Sequence, residues 1–493
     1  MSMERQPSNP PQAGHGAPLA STALDYVGDE PARPVPVSLA TRPPGFRLRR
    51  GRNWFFVGLN YASYYVNRYN LSLASTDFCN TFGFSNTQYG LIQSGRNWCY
   101  AIGQFWNGLL ADRLGGRTCM AIGGFGTAVM NVLFGLGWYY NAFGPVFGTL
   151  AWFVALRSID GYIQAFGAPG MVKMNTAWFA RSERGRFAGI FGLMINLGRF
   201  SINVLAPALL AGFTLWSYTV PAGSWQWVFF VPACISVLIT SLMLLMTKNT
   251  PEEAGYAGAV PLETLDATHR ELIPLYEIFW TILRNPLVWL TAWAYFCTGV
   301  VRYGVDDWFP KYFREVQKVS LTSTAFQVTA FLIPASATLG SIMSGYISDL
   351  AFKGRRAPVA AALYFVETGI ILIGAQAHSL VGVCTALVLT AFTCNSTHSI
   401  LGTAAAMDIG GRKMAGFAAG VIDSWQYIGA GLAGVGLGRL IDHYGWDAWL
   451  YAMAGFGALG GMLMLVMMPL ERRWAAARAK AAAAHDGGGA RRG

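Results

Sequence analysis

Apolar runs of about 20 residues recur along the chain from Trp54 to Leu470, the length an α-helix rising 1.5 Å per residue needs to cross about 30 Å of hydrocarbon. Twelve spans are expected, over 53–76, 87–111, 117–138, 147–177, 187–214, 226–247, 285–313, 322–349, 357–376, 379–406, 414–439 and 446–470. Polar stripes mark some of them. In the first, Tyr61, Tyr64 or Tyr65, Arg68 and Ser72 recur at i, i+3/4, i+7 and i+11, which is one helix face. In the seventh, Tyr295, Thr298, Arg302 and Asp306 repeat that spacing. The second carries Gln93, Arg96, Asn97, Tyr100, Gln104 and Asn107, and the fifth Asn196, Arg199 and Asn203. An arginine at the centre of a bilayer costs about 2.5–3.5 kcal/mol on the insertion scale, so it persists facing water or a partner. Four helices with cationic or amide faces predict a shared hydrated chamber.

The polar connections supply the topology. One alternating set of loops holds Arg113 and Arg117; Arg181, Arg184 and Arg186; Lys248, Arg270 and Arg284; Lys353, Arg355 and Arg356; and Arg412 and Lys413. The other set is nearly bare, apart from Lys311, Arg314, Lys318 and Arg439. Translocation disfavours positive charge, so the first set is expected in the cytoplasm of an inner (plasma) membrane protein, with both termini. The net charge of +11 is then a property of topology and does not call for nucleic acid. Hydrophobic residues make up 53% of the chain and charged residues only 12%, about half the charge of a soluble domain.

The expected organisation is all-α: a disordered cytoplasmic tail over 1–50, a six-helix bundle over 51–247, a cytoplasmic loop over 248–284, a second six-helix bundle over 285–470 and a tail over 471–493. A weak internal repeat supports two related halves. Gly108-Leu-Leu-Ala-Asp112-Arg113 corresponds to Gly345-Tyr-Ile-Ser-Asp349, and Arg68 corresponds to Arg302 at nearly the same offset.

Candidate chemistry centres on cations. Arg68, Arg302, Arg96 and Arg199 outnumber nearby carboxylates, and guanidinium forks match carboxylate or phosphate oxygens in pairs; Arg96 and Arg199 are either substrate contacts or members of ion pairs between helices. Tyr64, Tyr65, Gln104, Tyr295, Tyr303 and Asn196 are the candidates for orienting the rest of a bound anion. Arg157 and Asp160, followed by Gly161 and Gln164, form either a proton-coupling pair or an intrahelical salt bridge. Asp423 is either a protonatable coupling acid or the counter-ion of an arginine on another helix, and His398 either a structural hydrogen-bonding group or a substrate contact. Asp112, Arg113 and Asp349 are expected to gate the cytoplasmic side. The seven cysteines form no CxxC pair, and no zinc spacing, P-loop or nucleophile elbow occurs. No enzyme, metal or cofactor is expected.

These residues resemble a known family. Tyr64-Tyr-Val-Asn-Arg68-Tyr-Asn70, the run from Gly161 to Phe179, and Val301-Arg302-Tyr303-Gly304 with Asp307-Trp308 are similar to the major facilitator superfamily, most of all to its organophosphate:inorganic phosphate antiporters, the glycerol-phosphate and hexose-phosphate permeases. The resemblance implies two bundles rocking about a central site in which Arg68 and Arg302 grip a phosphate, and a monomer in the bilayer exchanging a small anionic solute for inorganic phosphate. Gln104 and Ile195 depart from the glycerol-phosphate permeases, which carry a lysine and a histidine there. The stretches Gly90 to Arg113 and Glu183 to Ile190 also resemble anion:cation symporters of sugar acids. A proton- or sodium-coupled carboxylate symporter and a transporter-like membrane sensor of phosphate esters stand as the alternatives.

Overall fold

The computed structural model describes residues 43–137, 148–179, 181–260, 275–352 and 355–489. Contacts divide the chain into two compact units. One comprises Met1–Val35 with Pro469–Gly493, of which the described part is helical, and the other is Pro36–Met468. In chain order the helices are α1 (Phe46–Phe82), α2 (Asn86–Leu114), α3 (Gly116–Leu136), α4 (Thr149–Gln164), α5 (Gly167–Trp178), α6 (Arg181–Leu210), α7 (Trp227–Met246), α8 (Leu275–Leu283), α9 (Pro286–Glu315), α10 (Thr324–Ala351), α11 (Arg356–Ala375), α12 (Leu380–Ser399), α13 (Ala406–Tyr444) and α14 (Asp447–Gly489).

Local chemistry sets the ends. Gly83 terminates α1 in the left-handed region at φ 67°. Ser85 and Gln88 then form a capping box that starts α2. Asn285 caps α9, whose first residue, Pro286, has no N–H to leave unpaired. A π-helical stretch, Ile400–Ala405, joins α12 to α13.

Three features differ from the sequence expectation. The fourth span is interrupted at Ala165–Phe166, between α4 and α5, where Gly167 packs so closely on the Tyr64 ring that a Cβ there would approach to 2.3 Å. The segment after α6 forms a hairpin of β1 (Phe213–Leu215) and β2 (Tyr218–Val220), pairing Phe213 with Val220. The central connection contains the short helix α8, which exposes Tyr276 and Trp280. The side chains of Asp112 and Asp349 lie outside the described residues, as do residues 1–42; Arg113 is exposed at the end of α2.

Among the described residues, seven helical segments are long and apolar enough to cross a membrane, in α3, α6, α7, α10, α11, α12 and α14. The other expected spans correspond to α1, α2, α4 with α5, α9 and α13. These are the helices that carry Arg68, Arg96, Arg157, Arg302 and Asp423, and polarity rather than shortness sets the long ones apart. Around this polar centre, α2 and α13 pack backbone to backbone. A Cβ at Gly90 would lie 2.1 Å from the Gly434 carbonyl oxygen, and one at Gly434 2.4 Å from that of Gly90. Ser94 Oγ donates to the Gly431 carbonyl at 2.5 Å and accepts from the Val435 amide at 2.8 Å. Gly90→Ala is therefore expected to destabilise the protein by about 1–3 kcal/mol through overpacking, read as a lower melting temperature in detergent.

Candidate functional site

Five buried or largely buried arginines converge from α1, α2, α4, α6 and α9. Three of them are neutralised. Arg157 lies 3.3 Å from Asp160 and donates to the Arg68 and Asn67 carbonyls at 3.0 and 3.3 Å. Arg96 lies 3.5 Å from Asp307, donates twice to Asn97 Oδ1 and once to the Arg68 carbonyl at 2.7 Å. Arg199 pairs with Asp306, whose other oxygen accepts from Tyr69 at 3.1 Å. The Arg96 and Arg199 pairs cross between α1–α7 and α8–α14. Removing either partner alone would leave a buried charge.

Arg68 and Arg302 differ from these three. Among the described residues neither has a carboxylate within salt-bridge distance; Arg68 Nη2 and Arg302 Nε are buried without a hydrogen-bond acceptor, a feature that of the other three only Arg157, at Nε, shares. Arg68, 2% exposed, donates from Nε to Gln164 Oε1 at 3.0 Å and lies over the rings of Tyr65 and Tyr100 at 4.7 and 4.6 Å. Arg302 Nη1 lies 3.3 Å from both ring nitrogens of His398 and its guanidinium 5.9 Å from the Tyr303 ring. Rings connect the two arginines: the Tyr100 ring lies tilted against Tyr427 at 4.3 Å and Tyr427 against Tyr303 at 5.9 Å. Asp423 lies within electrostatic reach of both guanidinium groups. The arrangement is a tyrosine-lined cluster in which each guanidinium keeps a buried N–H without an acceptor. A bound oxyanion would satisfy those donors, and rings would hold its organic part.

The other sequence-named residues divide. Tyr65, Tyr303 and Tyr295 stand in this cluster; Tyr295 places its hydroxyl 2.5 Å from His398 Nδ1. Gln104 reaches it through Tyr100, donating to that hydroxyl at 3.1 Å. Tyr64 points elsewhere, donating to the Met120 carbonyl as a helix-packing group. Asn196 bridges α6 to α10 by donating to Thr338 Oγ1 at 2.5 Å. Asp160 is enclosed by Arg157, Thr127 and Gln164. Tyr100 is visible in the sequence only as a member of a polar stripe and Tyr427 only as a neighbour of Asp423, because spacing gives a face and not the partner across it.

One end of the helix set is fastened. Asp442, beyond the end of the expected eleventh span, accepts from the Asn86 and Thr87 amides at 3.0 and 2.7 Å and from the Thr87 hydroxyl at 2.6 Å, capping α2 from α13. Arg314 pairs with Asp77, and Lys311 donates to Asn86 Oδ1 at 2.6 Å. Partial burial raises the Asp442 pKa, but the bonds from Thr87 and Asn86 outweigh it and hold the carboxyl below its ordinary value. The stabilisation is thus present above the ordinary carboxylate range and is lost as pH falls through the depressed value. Amide exchange at Asn86 and Thr87 should accelerate on acidification, and Asp442→Asn should show that faster exchange already at neutral pH.

The Major Facilitator Superfamily profile matches residues 57–434. The chain belongs to this superfamily. It is a multi-pass membrane protein of a transporter family and not an enzyme. It is 29% identical over 431 residues to a glycerol-3-phosphate transporter of Bacillus subtilis (strain 168), covering 85% of this chain and 90% of the relative. It is 26% identical to a probable hexose phosphate transport protein of Chlamydia trachomatis serovar D, covering 85% and 91%. Its fold is that of a bacterial homolog of the human lysosomal transporter Spinster, solved inward-facing and unoccupied, with a TM-score of 0.63 at 17% identity, over 88% of this chain and 97% of that one.

Proposed function

We propose that this protein carries a small phosphate ester, of the glycerol-phosphate or sugar-phosphate kind, across the inner membrane in exchange for inorganic phosphate, by alternating access. The observation that carries the reading is that Arg68 and Arg302 have no carboxylate within salt-bridge distance among the described residues, while Arg96, Arg157 and Arg199 each pair directly with an aspartate. The names of the two curated relatives support the substrate class. The site is divided between a first six-helix bundle and a second, the protein acts as a monomer with both termini in the cytoplasm, and the end fastened by Asp442 faces outward.

Empty, the two guanidinium groups repel. Two unit charges 4 Å apart interact by about 4 kcal/mol at an effective dielectric of 20, and less at larger separation. A phosphate dianion bridging them reverses the sign and draws α1 and α9 together. Loading therefore lowers the barrier to reorientation, and the empty carrier crosses poorly. Exchange follows from that asymmetry.

Proteoliposomes loaded with labelled phosphate test this. External glycerol phosphate or sugar phosphate should release the label, while water, chloride and a sugar acid should not. If no organophosphate releases it while binding persists, the protein is a sensor. The position of Asp423 within reach of both arginines favours one second reading, a proton-coupled carboxylate symporter with Asp423 as its acid. Uptake of a sugar acid driven by an inward proton gradient would establish that reading instead.

A further inference from the structure

Glu367 lies at the middle of α11, one of the apolar spanning segments. It is 0% exposed, and neither carboxyl oxygen has a hydrogen-bond partner. Its surroundings are Cys297 of α9, Tyr364 of its own helix, Thr393 and Cys394 of α12, and Gly457 of α14, where a Cβ would stand 3.5 Å from Oε1. No charged group among the described residues stands against it. An ionised carboxylate without a cation or donors in such surroundings is strongly disfavoured, and the group keeps its proton instead.

The neighbouring hydroxyl fits the protonated form. Thr393 donates to the carbonyls of Leu389 and Thr390, both at 3.1 Å. Its hydrogen is directed at the backbone, so this hydroxyl supplies the carboxyl with no donor. One turn before Glu367, the Tyr364 hydroxyl donates to the Ala294 carbonyl at 2.5 Å and meets Thr298 Oγ1 at 2.6 Å. Thr298 lies one turn before Arg302 on α9. Cys394 Sγ contacts the Thr298 carbonyl at 3.7 Å, one turn before His398 on α12. A short polar path thus leads from Glu367 to the helices that hold the second arginine and its imidazole.

We propose that Glu367 is a proton-binding site linked through Tyr364 and Thr298 to the Arg302 half of the substrate site. The proton is retained while α9, α11, α12 and α14 are closed around the carboxyl and is released to water when their rearrangement wets it. The link to transport rests on the phosphate-ester reading above, whereas the proton site itself does not.

Two measurements separate these. Infrared spectra of the purified full-length protein in nanodiscs, without substrate, should show a protonated carboxyl band that persists above the ordinary carboxylate range and is missing in Glu367→Gln. In proteoliposomes, wild-type phosphate exchange should fall with rising pH, approaching about tenfold per unit, the limit for one proton. Glu367→Gln, permanently neutral, should keep the low-pH rate and lose that limb. The substrate phosphate, His398 and Asp423 titrate equally in both proteins, so the difference between them isolates Glu367. An unchanged band together with an unchanged pH profile in the variant overturns the proposal. If wild-type vesicles exchange no phosphate, the transport reading fails and the infrared comparison still decides the site. Should Glu367→Gln fail to fold, Glu367→Asp replaces it: a displaced band supports the proposal and an undisplaced one overturns it.

Discussion

Arg302→Gln and Arg68→Gln are each expected to reduce phosphate exchange by at least about 100-fold. A hydrogen bond to a charged group contributes about 1.5–3 kcal/mol, and each guanidinium would offer a bound phosphate two of them, so about 3–6 kcal/mol is lost, well over 100-fold in affinity. Arg68→Lys should recover little, because an ammonium cannot present the planar fork. Stability should move the opposite way. Both arginines are held among tyrosines with a buried N–H unsatisfied and no salt-bridged carboxylate, so neutralising either one removes a poorly compensated buried charge and should raise the melting temperature of the ligand-free protein. Arg96→Gln should lower it, since Asp307 then loses its counter-ion. That opposition distinguishes a group held for a ligand from one held for the fold. If Arg302→Gln exchanges phosphate at the wild-type rate, the two-arginine site is wrong.

The sequence reveals this site unevenly, for a physical reason. Helical spacing puts Arg68 on a face with Tyr65, and Arg302 on a face with Tyr295, because residues three, four and seven apart share a side. Which face meets which across the structure is not periodic information. Arg96 and Arg199 therefore look like Arg68 in the sequence, and only the positions of Asp307 and Asp306 on α9 separate them. Tyr64 has the same spacing as Tyr65, yet a position one residue earlier turns it away, onto the Met120 carbonyl. Glu367 gives no signal at all. It stands alone in an apolar run, with no polar stripe, and becomes conspicuous only when its surroundings are seen to contain no cation. The hairpin after α6 and the short α8 escape the sequence because both lie in connections, where no hydrophobic period extends far enough to be read.

The second large effect concerns the two cross-pairs. Asp306→Asn should destabilise the protein by about 3–5 kcal/mol, the cost of leaving a buried Arg199 uncompensated. Replacing both partners by apolar residues, as in Arg199→Met with Asp306→Leu, should recover most of that loss, since a well-packed apolar pair often matches a buried ion pair. Stability alone would not distinguish this from Arg157 and Asp160, which pair within one helix. Conformation does. Arg199 belongs to α6 and Asp306 to α9, so their pair resists separation of the two helix groups in the same sense as the Asp442 cap that joins α13 to the start of α2. Opening that end requires both to break. In the double apolar variant, amide exchange over 86–98 of α2 should therefore be faster than in the wild type, despite recovered stability. Apolar replacement of Arg157 and Asp160 together should leave exchange there unchanged. Equal protection of 86–98 in both double variants would mean that the Arg199 pair holds the fold and takes no part in closing that end.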